Sequence, residues 1–446
     1  MTSGTTSAGL RRVAGSSAWL LAENVLRVSA TALMALWVAR MLGPAAYGVL
    51  AFATALLAVF LVPGTLGLEL PVLARLSRGD APGRVLGTAL AMRCAASLLA
   101  LALAITAAVA LRHGARDALA VTLVVCLAIL GYAPSVFDLW FRARVEVVAP
   151  SLARLATTLA SFAAKAVVLT LGLGLEGIAW TVVVEAALSS ATMAFAWLRV
   201  RPAQPAQALH VDLALARTLL SEGTPFLGSS LIALIAMRAD LLLLGLLSSA
   251  EQTGLYGIVQ RVAEVLAVAP LVLVDSAFPL LARRGSTTPI ARQDAGQLLF
   301  DLAAAAAWVT TIGAVLLAPL LAGALGSAYA DSASLLVLLA WGGIGAALGA
   351  ARQRWMAHAS LQSHAPALAL LAAATGIGLA LALVPRWGAA GAAWAALGAS
   401  VGIGLAGPFA FAPLRPTAVM QWRALWPWAR LWRLARRHLG RSRVAA

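Results

Sequence analysis

The chain is expected to fold as an all-α integral membrane protein: about twelve transmembrane helices in two pseudo-symmetric six-helix bundles, followed by a C-terminal interfacial amphipathic helix. Three observations predict this class. First, 62% of the 446 residues are hydrophobic and only 11% are charged, with a mean hydropathy of +0.90, which is more apolar surface than a soluble core can hide. Second, apolar stretches long enough to cross about 30 Å of hydrocarbon as helices recur along the whole length. Third, four landmarks repeat in order at an offset of about 210 residues. Tyr47-Gly48 returns as Tyr256-Gly257, Leu73-Ala-Arg75 as Leu281-Ala-Arg283, Ala149-Pro150 as Ala365-Pro366, and Gly177-x-Ala-Trp180 as Gly391-x-Ala-Trp394. A duplicated membrane chain is the usual build of a transporter whose substrate sits between two bundles.

The first six spans are expected near 17–39, 46–68, 86–110, 118–137, 152–173 and 178–198. The second six lie near 219–247, 255–281, 297–323, 333–351, 365–384 and 388–412. The domain plan that follows is an N-terminal tail over 1–16, a first bundle over 17–199, a linker over 200–216, a second bundle over 217–412 and a Trp/Arg-rich tail over 413–446. The first span is too long for a secretory signal and lacks a convincing cleavage site, so it should remain as an anchor. Cys94 and Cys126 fall inside spans and read as small packing residues.

A formal charge of +16 could signal nucleic acid, but its distribution follows topology. With both termini placed in the cytoplasm, 24 of the 33 cationic residues fall on cytoplasmic segments and only Arg40, Arg112, Arg116 and Arg386 on the opposite face, as the positive-inside rule requires. No nucleic-acid partner is expected.

The five remaining cations, Arg27, Arg93, Lys165, Arg238 and Arg261, fall inside spans. A charge at mid-bilayer costs about 2.5 to 3.5 kcal/mol on insertion scales, so such residues face a polar cavity or a partner. Glu23 precedes Arg27 by four residues and Glu264 follows Arg261 by three, spacings that share a helix face; Asp240 lies two residues from Arg238. Arg93 and Lys165 have no acid within a helical turn, and together they suit a phosphate or pyrophosphate held by charge-assisted hydrogen bonds. Glu23, Asp240 and Glu264 are candidate ion-coupling acids for H⁺ or Na⁺; Asp138, Glu185 and Asp275 are further acids in or near spans.

Other chemistries find no support. Gly172-x-Gly174-x-x-Gly177 and Gly402-x-Gly404-x-x-Gly407 match a dinucleotide fingerprint, yet no strand precedes either, and small-residue helix packing explains them, as it does Gly345-x-x-x-Gly349. There is no Walker A sequence, no metal-ligand cluster and no catalytic constellation among the five histidines, so no catalytic residue, metal or cofactor is expected. In the tail, Trp422, Trp426, Trp428 and Trp432 interleave with Arg423, Arg430, Arg433, Arg436 and Arg437, the composition of a helix lying on anionic lipid.

The residues also carry a family resemblance. Ala39-Arg40-Met41-Leu42-Gly43-Pro44-Ala45-Ala46-Tyr47-Gly48, followed by Gly64-Thr-Leu-Gly67-Leu68 and Leu73-Ala-Arg75, resembles the opening signature of polysaccharide biosynthesis flippases. Arg238-Ala-Asp240, Leu244-Gly245-Leu246 and Gly254-Leu-Tyr256 resemble the seventh-helix segment of the same family. The resemblance implies membership of the multidrug/oligosaccharidyl-lipid/polysaccharide exporter superfamily, and movement of polyprenyl-pyrophosphate-linked oligosaccharide repeat units across a bacterial inner membrane by alternating access. It implies that Arg27, Arg93, Lys165, Arg238 and Arg261 hold the pyrophosphate and anionic sugars. A polysaccharide polymerase is the partner such a transporter implies, beside the anionic lipid of the tail. A drug/cation antiporter, a lipid II flippase and a membrane glycan polymerase or transferase are the alternatives; for the last, Arg112, His113 and Arg116 form the one fitting cluster.

Overall fold

The computed structural model describes residues 3–111, 116–144, 148–200, 208–285, 288–428, 430 and 432, with side chains from Leu26 onward except at 148–149, 284–285 and 289–291. The described residues contain helices and no strand. In order these are α1 (Ser3–Thr65), α2 (Glu69–Arg78), α3 (Pro82–Leu111), α4 (Arg116–Cys126), α5 (Ala128–Gly131), α6 (Phe137–Ala143), α7 (Val148–Thr170) and α8 (Gly174–Val200). Then follow α9 (Leu213–Leu247), α10 (Ala250–Gly285), α11 (Pro289–Leu325), α12 (Ser332–His358), α13 (Ala365–Gly398), a π-helix over Ala399–Ala406 and α14 (Arg415–Ala424).

Ten helices among the described residues are long and apolar enough to cross a membrane. Two of them, Leu26–Thr65 and Gln362–Ala410, contain a break: Gly43 at φ 77°, ψ 167° and Gly388 at φ 53°, ψ −128°. An unbroken helix of 40 residues would run about 60 Å, twice the hydrocarbon thickness. Each break therefore divides its helix into two membrane-length segments, and counting them so gives the expected twelve. Both conformations are ones that only glycine adopts without strain.

The duplication is visible in local geometry. The α7–α8 turn uses Gly172 and Gly174 at positive φ where the second half uses Gly388. Just beyond each turn, a Cβ on Gly177 would lie 2.7 Å from the Val168 side chain, and one on Gly391 2.4 Å from the Leu383 carbonyl oxygen. Both glycines thus let a helix press on the segment before it. Three residues on, Trp180 and Trp394 are both about half exposed, and Tyr47 and Tyr256 are both buried.

The chain forms two compact units, Met1–Gly254 and Leu255–Ala446. α9, which the sequence assigns to the start of the second bundle, packs with the first unit, for physical reasons that can be named. Leu215 and Leu219 complete the core around Leu68, Leu86, Phe137, Trp140 and Trp197. A Cβ on Gly67 would lie 2.4 Å from the Gly223 carbonyl oxygen, so the backbones touch there. Arg75 pairs with Glu222 at 2.8 Å and Arg84 with Asp212 at 2.7 Å. Asp212 also caps α9 by accepting from the Ala214 and Leu215 amides; the Leu215 amide first, then Arg84 and the Ala214 amide, hold its carboxyl below the usual range. Of the expected linker, 201–207 lies outside the described residues.

In the second unit, α10, α11 and α12 enclose a core of Leu299, Phe300, Leu348 and Trp355. Gly345 meets the Ser400 carbonyl so closely that a Cβ would sit at 2.5 Å, the close helix approach that its G-x-x-x-G spacing suggests. The C-terminal tail buries one face and leaves Trp422, Trp426, Trp428 and Trp432 exposed. α14 docks on the bundle, with Ala418, Gln421 and Ala424 fully buried. Gln421 donates to the Leu348 carbonyl at 3.1 Å, Gln297 to the Met420 carbonyl at 3.1 Å, and Arg430 to the Asp301 carboxylate at 2.7 and 2.8 Å. These buried polar groups need partners that a lipid surface would not supply. Of the remaining tail, 433–446 lies outside the described residues.

Candidate functional site

The fourth span is not a continuous helix. Leu127 separates α4 from α5, and a 3₁₀ turn over Ala133–Val136, with Pro134 in its first turn, separates α5 from α6. Pro134 has no amide to donate to the helical ladder, and the span tightens to 3₁₀ there, a turn that carries the polar Ser135. Broken membrane helices commonly mark ligand sites.

Arg93 of α3 meets this turn. Its side chain is 2% exposed, and its Nη1 donates to the Ser135 Oγ at 3.0 Å. Its Nε and Nη2 are buried and have no hydrogen-bond partner among the described residues. Glu69 and Arg142 are the charges that act on it. An ionised guanidinium out of water with two donors unsatisfied is unfavourable by several kcal/mol, and an anion accepting from both would remove that cost.

Three residues beyond Ser135, Asp138 accepts from Arg142 Nε at 2.7 Å and from Arg154 Nη1 at 2.9 Å, and Arg154 also donates to the Ser151 Oγ at 3.4 Å. Two cations thus share one acid. The sequence assigns Arg142 and Arg154 to cytoplasmic loops on charge alone. The Asp138-x-x-x-Arg142 spacing was the signal that could have joined this group to the site.

Lys165 has its acid on the neighbouring helix. It lacks an acid within its own helix, but across the bundle its Nζ bonds the Glu185 carboxylate at 2.6 Å and the Ser161 Oγ at 2.8 Å, while Ser161 donates to Glu185 at 2.5 Å. Lys165 is therefore neutralised by a partner 20 positions away, and Arg93 carries the cationic argument. The other expected residues are dispersed. Arg27 on α1 and Arg238 on α9 are half-buried in the first unit. Asp240 accepts from the Leu241 amide at 2.7 Å. Arg261 and Glu264 form an ion pair at 3.2 Å on α10 of the second unit. Glu23, Arg112 and His113 lie outside the residues whose side chains are described. No group of three metal-ligating side chains occurs among the described residues.

Arg352 is one of the 24 cations that the charge count places on cytoplasmic segments. It is 9% exposed on α12, where Nη1 donates to the Gly404 carbonyl at 2.5 Å and to the Gln421 side chain at 3.4 Å. The π-helix frees that carbonyl from the regular α-helical ladder.

Comparison with known proteins places this geometry. The fold is similar to an inward-facing multidrug resistance MATE family transporter of the MOP superfamily, with a TM-score of 0.69 at 15% identity over 88% of this chain and 95% of that one. It is similar to the lipid II flippase MurJ in an inward closed conformation, with a TM-score of 0.64 at 12% identity over 90% and 91%. A MOP superfamily transporter from Pyrococcus furiosus, described as having a binding pocket of reversed polarity, gives a TM-score of 0.59 at 16% identity over 90% and 96%. No curated protein sequence matches the chain. The family described as polysaccharide biosynthesis protein matches residues 14–284, a stretch that holds the opening signature, the broken fourth span, Arg93 and its neighbours. The chain is a multi-pass membrane protein that belongs to the polysaccharide biosynthesis protein family.

Proposed function

We propose that this protein is a flippase that moves polyprenyl-pyrophosphate-linked oligosaccharide repeat units across the bacterial inner membrane for polysaccharide export, with both termini cytoplasmic. The observation that carries the reading is Arg93, a buried cation beside a 3₁₀ turn with two donors unsatisfied among the described residues, in a family tied to polysaccharide biosynthesis. A diphosphate supplies the acceptors that Arg93 lacks. Arg142 and Arg154, both bonded to Asp138, extend the charged network of the same bundle. Moving a pyrophosphate through hydrocarbon without fixed cations would be prohibitive.

The mechanism is alternating access. The sugar-diphosphate head passes through the protein while the polyprenyl chain stays in lipid, and closure on one side accompanies opening on the other. Arg27, Arg238 and Arg261 serve as further contacts for an anionic head. Coupling to H⁺ or Na⁺ is assigned to Asp240 and Glu264, and the membrane potential supplies about 2.3 kcal/mol per charge per 100 mV. A polysaccharide polymerase is the expected neighbour in the membrane. A drug/cation antiporter needs acids free to receive a cation, whereas Glu185 and Asp138 are already engaged by Lys165, Arg142 and Arg154.

The test is reconstitution in liposomes with a fluorescent polyprenyl-pyrophosphate oligosaccharide, measuring how fast the head becomes accessible to an external reagent. Wild-type protein should transport it and Arg93→Ala should not. Transport of a hydrophobic cation in place of the glycolipid would overturn the reading.

A further inference from the structure

In the second unit, five tryptophans line one open groove of about 800 Å³: Trp308, Trp341, Trp394, Trp422 and Trp426. That volume is in the range of pockets that hold whole small ligands. The indole N–H groups that would make it polar are partly consumed, since Trp308 donates to the Leu425 carbonyl at 2.9 Å and Trp422 to the Leu405 carbonyl at 3.2 Å. Trp308 packs edge-on against Trp341 and tilted against Trp426, so aromatic faces form the wall. The floor is glycine: Gly402 lines the groove and has open space where a Cβ would be. One wall is the tail itself, because Trp422 and Trp426 are positioned by the buried Gln421 and by the Arg430–Asp301 pair.

Among the described residues named beside this groove, positive charge exceeds negative. Arg423 is exposed and adjacent to Trp422 in sequence. Arg352 bonds the carbonyl of Gly404, next to groove-lining Leu405, and no carboxylate among the described residues pairs with it. Arg430 is already neutralised by Asp301. An apolar trough with two uncompensated cations beside it suits a molecule with a hydrocarbon chain and one anionic head.

We propose that this groove binds one acyl chain of an anionic glycerophospholipid, with the phosphate at the Arg423 side, and that docking of α14 builds the site. The bound lipid bridges the tail and the second bundle, and this site is separate from the charge cluster of the first unit. It stands whatever cargo the protein carries.

The experiment is native mass spectrometry of the full chain in detergent, titrated with phosphatidylglycerol or phosphatidylcholine. The wild type should bind one phosphatidylglycerol at least tenfold more tightly than phosphatidylcholine. Gly402→Phe fills the groove and should lower that affinity at least tenfold. Gly378→Phe, on an exposed face of α13 with open space around it, should leave it unchanged. Arg423→Gln, an exposed change that spares the fold, should erase the preference between the two lipids. Equal binding of both lipids by the wild type overturns the proposal, as does unchanged phosphatidylglycerol binding in Gly402→Phe. If Gly402→Phe does not fold, a lipid preference that persists in Arg423→Gln overturns the headgroup assignment.

Discussion

The two units bury charge for different ends. In the second, Asp301 is buried and its carboxylate fastens the tail, accepting twice from Arg430 and once from Gln297. In the first, Arg93 is as deeply buried yet keeps two donors unused. A satisfied buried charge makes structure, and an unsatisfied one is tolerated where a ligand completes it.

The largest expected effect breaks the structural side of this contrast. Asp301→Leu strands Arg430 and unfastens the tail. Because Asp301 is 2% exposed and Arg430 28%, the loss should approach the lower end of the about 3 to 5 kcal/mol seen for broken buried pairs. Thermal unfolding and faster proteolysis of the tail would show it; an unchanged melting temperature would remove the tail's structural role.

Next comes Arg93→Leu, which should separate transport from stability. Flipping should fall by about a hundredfold, equivalent to about 2.7 kcal/mol, while the melting temperature holds or rises, since an unsatisfied buried cation is gone. A variant that loses stability and transport together would make Arg93 a structural residue like Asp301.

A smaller effect is expected from Glu185→Gln, which leaves Lys165 with Ser161. Polar contacts inside membrane bundles average about 0.6 kcal/mol, so transport should drop no more than severalfold. Lys165→Met with Glu185→Leu should recover most of the stability lost in either single change, and a double-mutant cycle reads the coupling. Failure to recover would point to a direct ligand role for Lys165.

Smallest is Asp212, a cap at the start of α9. Its carboxyl is held below the usual range by the Leu215 amide first, then by Arg84 and the Ala214 amide. The sign follows from that depression: the stabilisation is present at neutral pH and is lost as pH falls through the carboxylate range, below about 4. Asp212→Asn should flatten the acid side of the stability curve and leave the neutral side nearly unchanged, as measured by unfolding between about pH 3 and about pH 7.

Much of the architecture was legible because the bilayer imposes a short list of solutions. Span length, the positive-inside arginines and the repeated Tyr-Gly and Gly-x-Ala-Trp landmarks determined a duplicated helical membrane protein, and Gly43 and Gly388 fall where adjacent spans had to be parted. Arg93 was legible as an intramembrane cation without a local acid. What lay beyond reach was every partner distant in sequence. Glu185 neutralises Lys165 from the next helix; Asp138 gathers Arg142 and Arg154, which charge counting had placed in loops; Asp301 captures Arg430 from 129 positions away and docks the inner face of the tail. α9 joins the first unit for the same reason, through Gly67 against Gly223 and Arg75 against Glu222. Hydropathy depends on local composition, so sequence alone determines how many times the chain crosses. Neutralisation of a buried charge depends on which atoms come within about 3 Å, and only the packed tertiary structure decides that.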